Sequence, residues 1–239
     1  MLDAATRTGT QVIWDLMHYG WPDGLDIWSP AFVDCFAAFA RAAALHLRDR
    51  SDAVPFWCPI NEISFFSWAG GDARYLNPFA SGRGFELKVQ LARAAIAAMR
   101  ALRDVDPRAR FVHAEPLIAI HHDPQSGRPL WEAQGWHDAQ FQAFDLIAGR
   151  IWPQIDGAPE FLDIVGSTIT STINGCMAGH PLTWIPSTTR LCPTFCSRWL
   201  PATTAPSDRR NRDRGGSPRR LAGLCRGRDG AGVPAGCAG

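Results

Sequence analysis

Phe56-Trp57-Cys58-Pro59-Ile60-Asn61-Glu62-Ile63-Ser64-Phe65-Phe66-Ser67-Trp68-Ala69-Gly70-Gly71 is the stretch on which the fold turns. It begins as an apolar run of strand length and ends in the polar pair Asn61-Glu62. Aromatic residues follow, and then the break Gly70-Gly71. A buried strand whose C-terminal tip presents an amide and a carboxylate to a space walled by Trp and Phe is where an α/β barrel places its chemistry. Asn-Glu is a common dipeptide; its place at a strand end among aromatics gives it weight.

The same unit repeats on either side. Upstream, the β-rich residues 11–17 lead into the loop His18-Tyr19-Gly20-Trp21-Pro22-Asp23-Gly24. Ser29-Pro30 then supplies an N-cap and a first-turn proline. Phe32, Val33, Phe36, Phe39, Ala40, Ala43, Ala44 and Leu47 recur at helical spacing behind it. Downstream, residues 72–84 form an irregular loop, and 85–105 is the clearest helix, with Leu87, Leu91, Ala95, Ala98, Met99 and Leu102 along one side. Residues 109–114 give the next strand, tipped by Glu115-Pro116. His121-His122-Asp123 reads as a solvated loop, residues 134–151 as a third helix and 161–166 as a short last strand. Strands alternating with helices argue for an α/β fold with a parallel sheet and right-handed crossovers. No Gly-x-Gly-x-x-Gly or phosphate-binding loop follows any strand, which disfavours a nucleotide-binding sheet. Long aromatic and polar loops at the strand C-termini favour a barrel.

Within 239 residues, 46% hydrophobic and 20% charged, no uncharged apolar run approaches the eighteen or so of a membrane span. The N-terminus lacks the apolar core of a signal peptide, so the expectation is a cytoplasmic protein with no membrane partner. The net charge of +1 hides a division. Residues 167–239 carry ten arginines and three aspartates, with no lysine or glutamate, while the first 166 residues are net acidic. Five of the seven cysteines, Cys176, Cys192, Cys196, Cys225 and Cys237, also fall in that last segment.

Two domains are therefore expected: a partial barrel over 1–166 and an irregular tail over 167–239. The tail reads either as a disordered basic extension or as a frameshifted product. Codons permitted for Ser167 to Met177, read one base earlier, spell Val-Asn-Tyr-His-Phe-His-His-Gln-Trp-Met, and those for Leu191 to Pro206 spell an amphipathic helix. Sequencing the source DNA tests this. The tail's arginines lack interleaved aromatics, so no nucleic-acid partner is expected.

Residues 11–166 resemble the family 1 glycoside hydrolases, the retaining β-glucosidase family built on a (β/α)8 TIM barrel. Residues 12–22 are similar to the family's third-strand segment with its His-Trp-Asp-Leu-Pro loop. Cys58-Pro59-Ile60-Asn61-Glu62-Ile63 is similar to its fourth-strand Thr-Phe-Asn-Glu-Pro, and Phe161-Leu162-Asp163-Ile164-Val165-Gly166 to its sixth-strand Asp-Phe-Ile-Gly. Tyr19-Gly20 stands where the family has Trp-Asp, and Ile63 where it has Pro, which marks a divergent branch. The resemblance implies about strands 3–6 of eight, with strands 1 and 2 upstream of Met1. Its nucleophile strand would fall inside the tail, where no glutamate follows Glu160.

Retaining hydrolysis needs two carboxyl groups about 5–5.5 Å apart. The resemblance makes Glu62 the acid/base, with a raised pKa expected from burial among Trp57, Phe65, Phe66 and Trp68. It makes Asn61 a ligand of the sugar 2-hydroxyl and His18 of another hydroxyl, with Trp21 and Trp68 stacking on sugar faces. The partner implied is a small glycoside; no metal or organic cofactor is implied, and no nucleophile is present. Structural alternatives stand beside each: Glu62 as a salt-bridged strand-end carboxylate, His18 as a loop histidine, Trp14 and Trp57 as core. His113-Ala114-Glu115 invites a zinc-deaminase assignment, which needs a Cys-x-x-Cys that Cys192 and Cys196 do not make. Glu115 is better placed as a polar pocket wall than as a substitute nucleophile. Without its nucleophile the chain is expected to be inactive by itself, with a non-catalytic carbohydrate-binding remnant or a non-functional gene fragment as alternatives.

Overall fold

The strands form where β-rich runs meet a helix face to bury against. The computed structural model describes residues 1–168, 174–177 and 183–184. In chain order come α1 (Leu2–Thr8), β1 (Ile13–Asp15), α2 (Pro30–Arg48), β2 (Phe56–Cys58), α3 (Ile63–Gly71), α4 (Gly84–Val105), β3 (Arg110–Pro116), β4 (Ala119–His122), α5 (Leu130–Ala139), α6 (Gln142–Ile147) and β5 (Ile164–Thr168). Strands β1, β2, β3 and β5 lie side by side in that order, all parallel, as an α/β partial barrel requires.

Register assigns the faces. Trp14 pairs with Trp57 and Trp57 with Phe111, so these three rings share the face that meets the helices. His113 and Glu115 continue that face, while Val112, Ala114 and Pro116 alternate to the other, beside Ile164, Gly166 and Thr168. The long helices α2 and α4 cover the sheet and supply most of the core. All of Leu87, Leu91, Ala95, Ala98, Met99 and Leu102 are fully buried, the α4 face that the spacing marks out. Helix α2 is long and apolar enough to cross a bilayer. Its stripe Phe32, Val33, Phe36, Ala40, Ala44 and Leu47 is instead buried in the core.

Several elements differ from the sequence expectation. The first strand shrinks to Ile13–Asp15, and an α-helix, α1, precedes it. The aromatic run after Glu62 is a helix, because Ile63, Phe66, Ser67 and Gly70 recur at helical spacing and are buried together. Gly70 and Gly71 therefore sit inside a helix and serve close packing. A Cβ on Gly70 would meet the Asn77 carbonyl oxygen at 2.8 Å, and one on Gly71 would meet the Gly84 Cα at 2.6 Å. His121 and His122 lie in strand β4, paired in parallel with Asn174–Met177, and not in a solvated loop. The helix expected over 134–151 is two helices. The Gln140 side chain bonds both backbone groups of Ile118, at 2.9 and 3.0 Å, and pins the chain between α5 and α6. Phe161 closes a 3-10 turn opened by Pro159. The last strand starts three residues later and runs on to Thr168, past the boundary at 166. Beyond it, apart from the short strands at 174–177 and 183–184, the tail, which the sequence leads one to expect to be disordered or frameshifted, lies outside the described residues.

Candidate active site

Glu62 stands immediately beyond the tip of β2, at the N-cap of α3, with φ +47° and ψ 59°. Its backbone N–H donates to the Ala114 carbonyl at 3.0 Å and its carbonyl accepts from Phe66 at 2.8 Å. A non-glycine residue in the left-handed region costs about 1 kcal/mol or more, and such residues cluster at functional sites. This one is locked between β3 and the first turn of α3.

The half-buried carboxylate is held by two hydroxyls. Tyr19 donates to Oε2, and Thr168 donates to Oε1. Asn61 Nδ2 donates to the Tyr19 oxygen at 3.0 Å, so Asn61, Tyr19, Glu62 and Thr168 form one chain of hydrogen bonds across the tips of β1, β2 and β5. Burial, and then the Glu62 carboxylate beside it, pushes the Tyr19 phenol far above its ordinary range. It remains a neutral hydroxyl. Tyr19 is itself left-handed, at φ +67°, and its ring packs against Phe65 and Phe66 at centroid distances of 5.6 and 5.5 Å. The expected aromatic enclosure of Glu62 takes a different form. Trp57 and Phe66 are core residues, 3% and 0% exposed, and hydroxyls hold the carboxylate.

The other sequence candidates divide. Asn61 and Glu62 are brought together as expected. His18 is exposed on the β1 loop, its Nδ1 2.7 Å from Asp15 Oδ2 and its ring 4.6 Å from that of Tyr19. Trp21 is turned away from Glu62: its indole N–H donates to the Leu25 carbonyl at 2.8 Å, and its ring packs on Phe32 and Phe66. Trp68 is half-buried on α3, edge-on to Tyr75 at 5.5 Å, and faces a cavity between α3, α4 and α5.

Glu115 is not a pocket wall. It lies on the helix face of β3, fully buried, and both its oxygens accept from the Ser64 N–H at 3.1 and 2.9 Å, so it caps the amino end of α3. Burial drives its carboxyl up to about 8, against the opposing pull of that amide and of the Lys88 charge. Burial likewise brings Lys88 down to about 8. His113 is buried with Nε2 2.8 Å from the Phe161 carbonyl, and burial lowers it to about 4. Neither His113 nor Glu115 is free to bind a metal, and among the described residues no three His, Cys, Asp or Glu side chains converge on one. Asp163, from the expected sixth-strand motif, takes both Arg110 nitrogens at 2.6 and 2.8 Å and ties β3 to β5. The Arg110 guanidinium holds its carboxyl below the usual range.

The sequence pointed to Asn61 and Glu62 but missed their partners. Tyr19 was visible only as a departure at the residue after His18. Thr168 lay past the boundary where hydrophobic periodicity ends.

No family model matches the sequence, and no curated protein does. Solved structures do. A β-glucosidase from Thermotoga maritima in complex with glucoimidazole superposes with a TM-score of 0.60 at 14% identity, covering 81% of this chain and 49% of that one. A Thermotoga maritima family 1 glycoside hydrolase bound to a cyclophellitol analogue gives 0.60 at 15% identity, covering 78% and 48%. The described fold is part of the barrel that these glycosidases share. The AHE enzyme from Alicyclobacillus herbarius matches at 0.55 and 19% identity, over 64% of this chain and 35% of its own. The chain thus spans about half or less of the family 1 glycosidase-like structures it matches.

Proposed function

We propose that this chain carries the acid/base half of a retaining β-glucosidase-type site, with Glu62 as the proton donor to the leaving glycosidic oxygen. The observation that carries the reading is the Asn61–Tyr19–Glu62–Thr168 network at the C-terminal tips of parallel barrel strands. That is where a barrel assembles its chemistry from the ends of several strands. Hydroxyls both donate and accept. Thr168 and Tyr19 therefore serve either protonation state of Glu62, donating to the carboxylate and able to accept from the acid. A glycosidic oxygen entering opposite Glu62 would replace one of them as the partner of the carboxyl proton. In this reading Asn61, already hydrogen-bonded to Tyr19, gives its remaining N–H to a sugar hydroxyl.

The covalent intermediate of retention needs a second carboxylate about 5–5.5 Å away. Among the described residues, Glu115 is spent on the Ser64 amide on the opposite face of the sheet, and Asp15 on His18. No glutamate follows Glu160. This 239-residue chain is therefore expected to bind a glucose-like azasugar without turning over an aryl β-glucoside. Calorimetry with the azasugar, beside a chromogenic assay with the aryl glucoside, tests this. Binding that Glu62→Gln weakens about tenfold supports the assignment; binding indifferent to that substitution refutes it. Turnover by the unmodified chain refutes the expectation that it lacks a second carboxylate.

A further inference from the structure

Lys88 is the only lysine in the chain; the other 23 basic residues are arginines. An arginine never loses its proton in a protein, whereas a lysine does when it is buried. The single lysine is buried, 6% exposed, in the first turns of α4. It borders a cavity of about 190 Å³ whose other walls include Phe65, Trp68, Phe85, Ile118 and Trp136. A cavity of about 150 Å³ lined by apolar side chains is known to hold a benzene molecule. Lys88 Nζ donates to the Ala139 carbonyl at 2.7 Å and to Gln142 Oε1 at 3.1 Å, which leaves one corner of the nitrogen without a partner among the described residues. Asp72, the other charged residue on the cavity wall, is engaged by the Gly84 N–H at 2.8 Å.

We propose that this cavity is a second ligand site, separate from Glu62, which takes a small aromatic carbonyl compound and holds it as an imine of Lys88. The aromatic walls and the single-ring volume select the ring. The lone amine, about a tenth of which is uncharged at pH 7, meets the carbonyl. In that step the nitrogen lone pair attacks the carbonyl carbon. The two amine protons pass to the carbonyl oxygen, which leaves as water, and a C=N bond replaces C=O, so no oxidant or outside reactant is required. At about 8, Lys88 carries on the order of a hundredfold more free amine at pH 7 than an exposed lysine. The site does not depend on the glycosidase reading.

The test treats the full chain with benzaldehyde and sodium cyanoborohydride at pH 7, with the reduced adduct mapped by peptide mass spectrometry. The Met1 amine is the internal reference, being the only other primary amine. The expected result is benzylation of Lys88 at least tenfold faster than in the same chain unfolded in urea, and faster with benzaldehyde than with acetaldehyde. Ala139→Leu fills the cavity while leaving the lysine in place, and should slow the Lys88 reaction about tenfold with unchanged circular dichroism. Labelling confined to Met1, a Lys88 rate no greater than in the unfolded chain, or a rate that Ala139→Leu leaves untouched would each overturn the proposal.

Discussion

Stability should fall as pH rises from 6.5 to 8, and Glu115 should be the cause. Its folded value, about 8, lies above the ordinary 4.5, so across the interval between them the native state holds a proton that the unfolded chain has lost. The slope of unfolding free energy with pH follows the unfolded minus the native proton count, which is negative here. Stability from this group is complete below about 4.5 and declines as pH rises through 8. Two other buried groups act mainly outside the window. His113, lowered from 6.5 to about 4, makes stability rise between those values and so opposes Glu115 there. Lys88, lowered from 10.5 to about 8, makes stability rise above 8. Between 6.5 and 8 Glu115 dominates with a loss of about 1.6 kcal/mol, and the ends of the His113 and Lys88 titrations each return about 0.4 kcal/mol. The net loss over that window is about 0.9 kcal/mol. With a urea slope of about 2 kcal/mol per molar, the midpoint should drop by about 0.4 M. Urea melts followed by the fluorescence of the ten tryptophans read it directly. Glu115→Gln keeps an acceptor for the Ser64 amide and removes the ionisation, so its midpoint should rise by about 0.4 M across the window, from His113 and Lys88, and exceed the parent's above pH 8. A parent midpoint that is flat or rising, or a decline that survives Glu115→Gln, refutes the reasoning.

Two further outcomes follow from named contacts. Tyr19→Phe deletes one hydroxyl that serves both Asn61 and Glu62, and should cost about 1–2 kcal/mol of azasugar binding, roughly tenfold in affinity by calorimetry. Gly71→Ala forces a methyl to within 2.6 Å of the Gly84 Cα, and should lower stability by about 1–3 kcal/mol in the same urea melts, because the obstacle is backbone.

The sheet was legible because each strand is a short β-rich run bounded by a polar or irregular stretch. The long helices were legible because a period of 3.6 over nineteen and twenty-two residues leaves little ambiguity. What escaped depends on contacts distant in sequence. Residues 63–71 carry apolar and aromatic groups on almost every side, so their moment is weak and the two glycines read as a stop. Only the approach of Asn77 and Gly84 shows why glycine stands there inside a helix. The break at Gln140 was hidden for a related reason: a side chain gripping Ile118, twenty-two residues back, interrupts a helix that local propensity would continue.

The site was half legible, and the missing half explains its chemistry. A strand-tip Asn-Glu pair can be seen in sequence because strand ends are marked by loss of hydrophobicity. The polarity of the two residues does not reveal what the carboxylate bonds to. That is set by which strands are neighbours, and β2 stands next to β1, which delivers Tyr19, and to β3, which in turn aligns β5 and delivers Thr168. Two of the rings expected around Glu62, Trp57 on β2 and Phe66 on α3, are buried in the core. Two hydroxyls, 43 residues before and 106 residues after it, occupy its oxygens instead. Glu62 therefore rests between two hydroxyls, groups that can donate or accept.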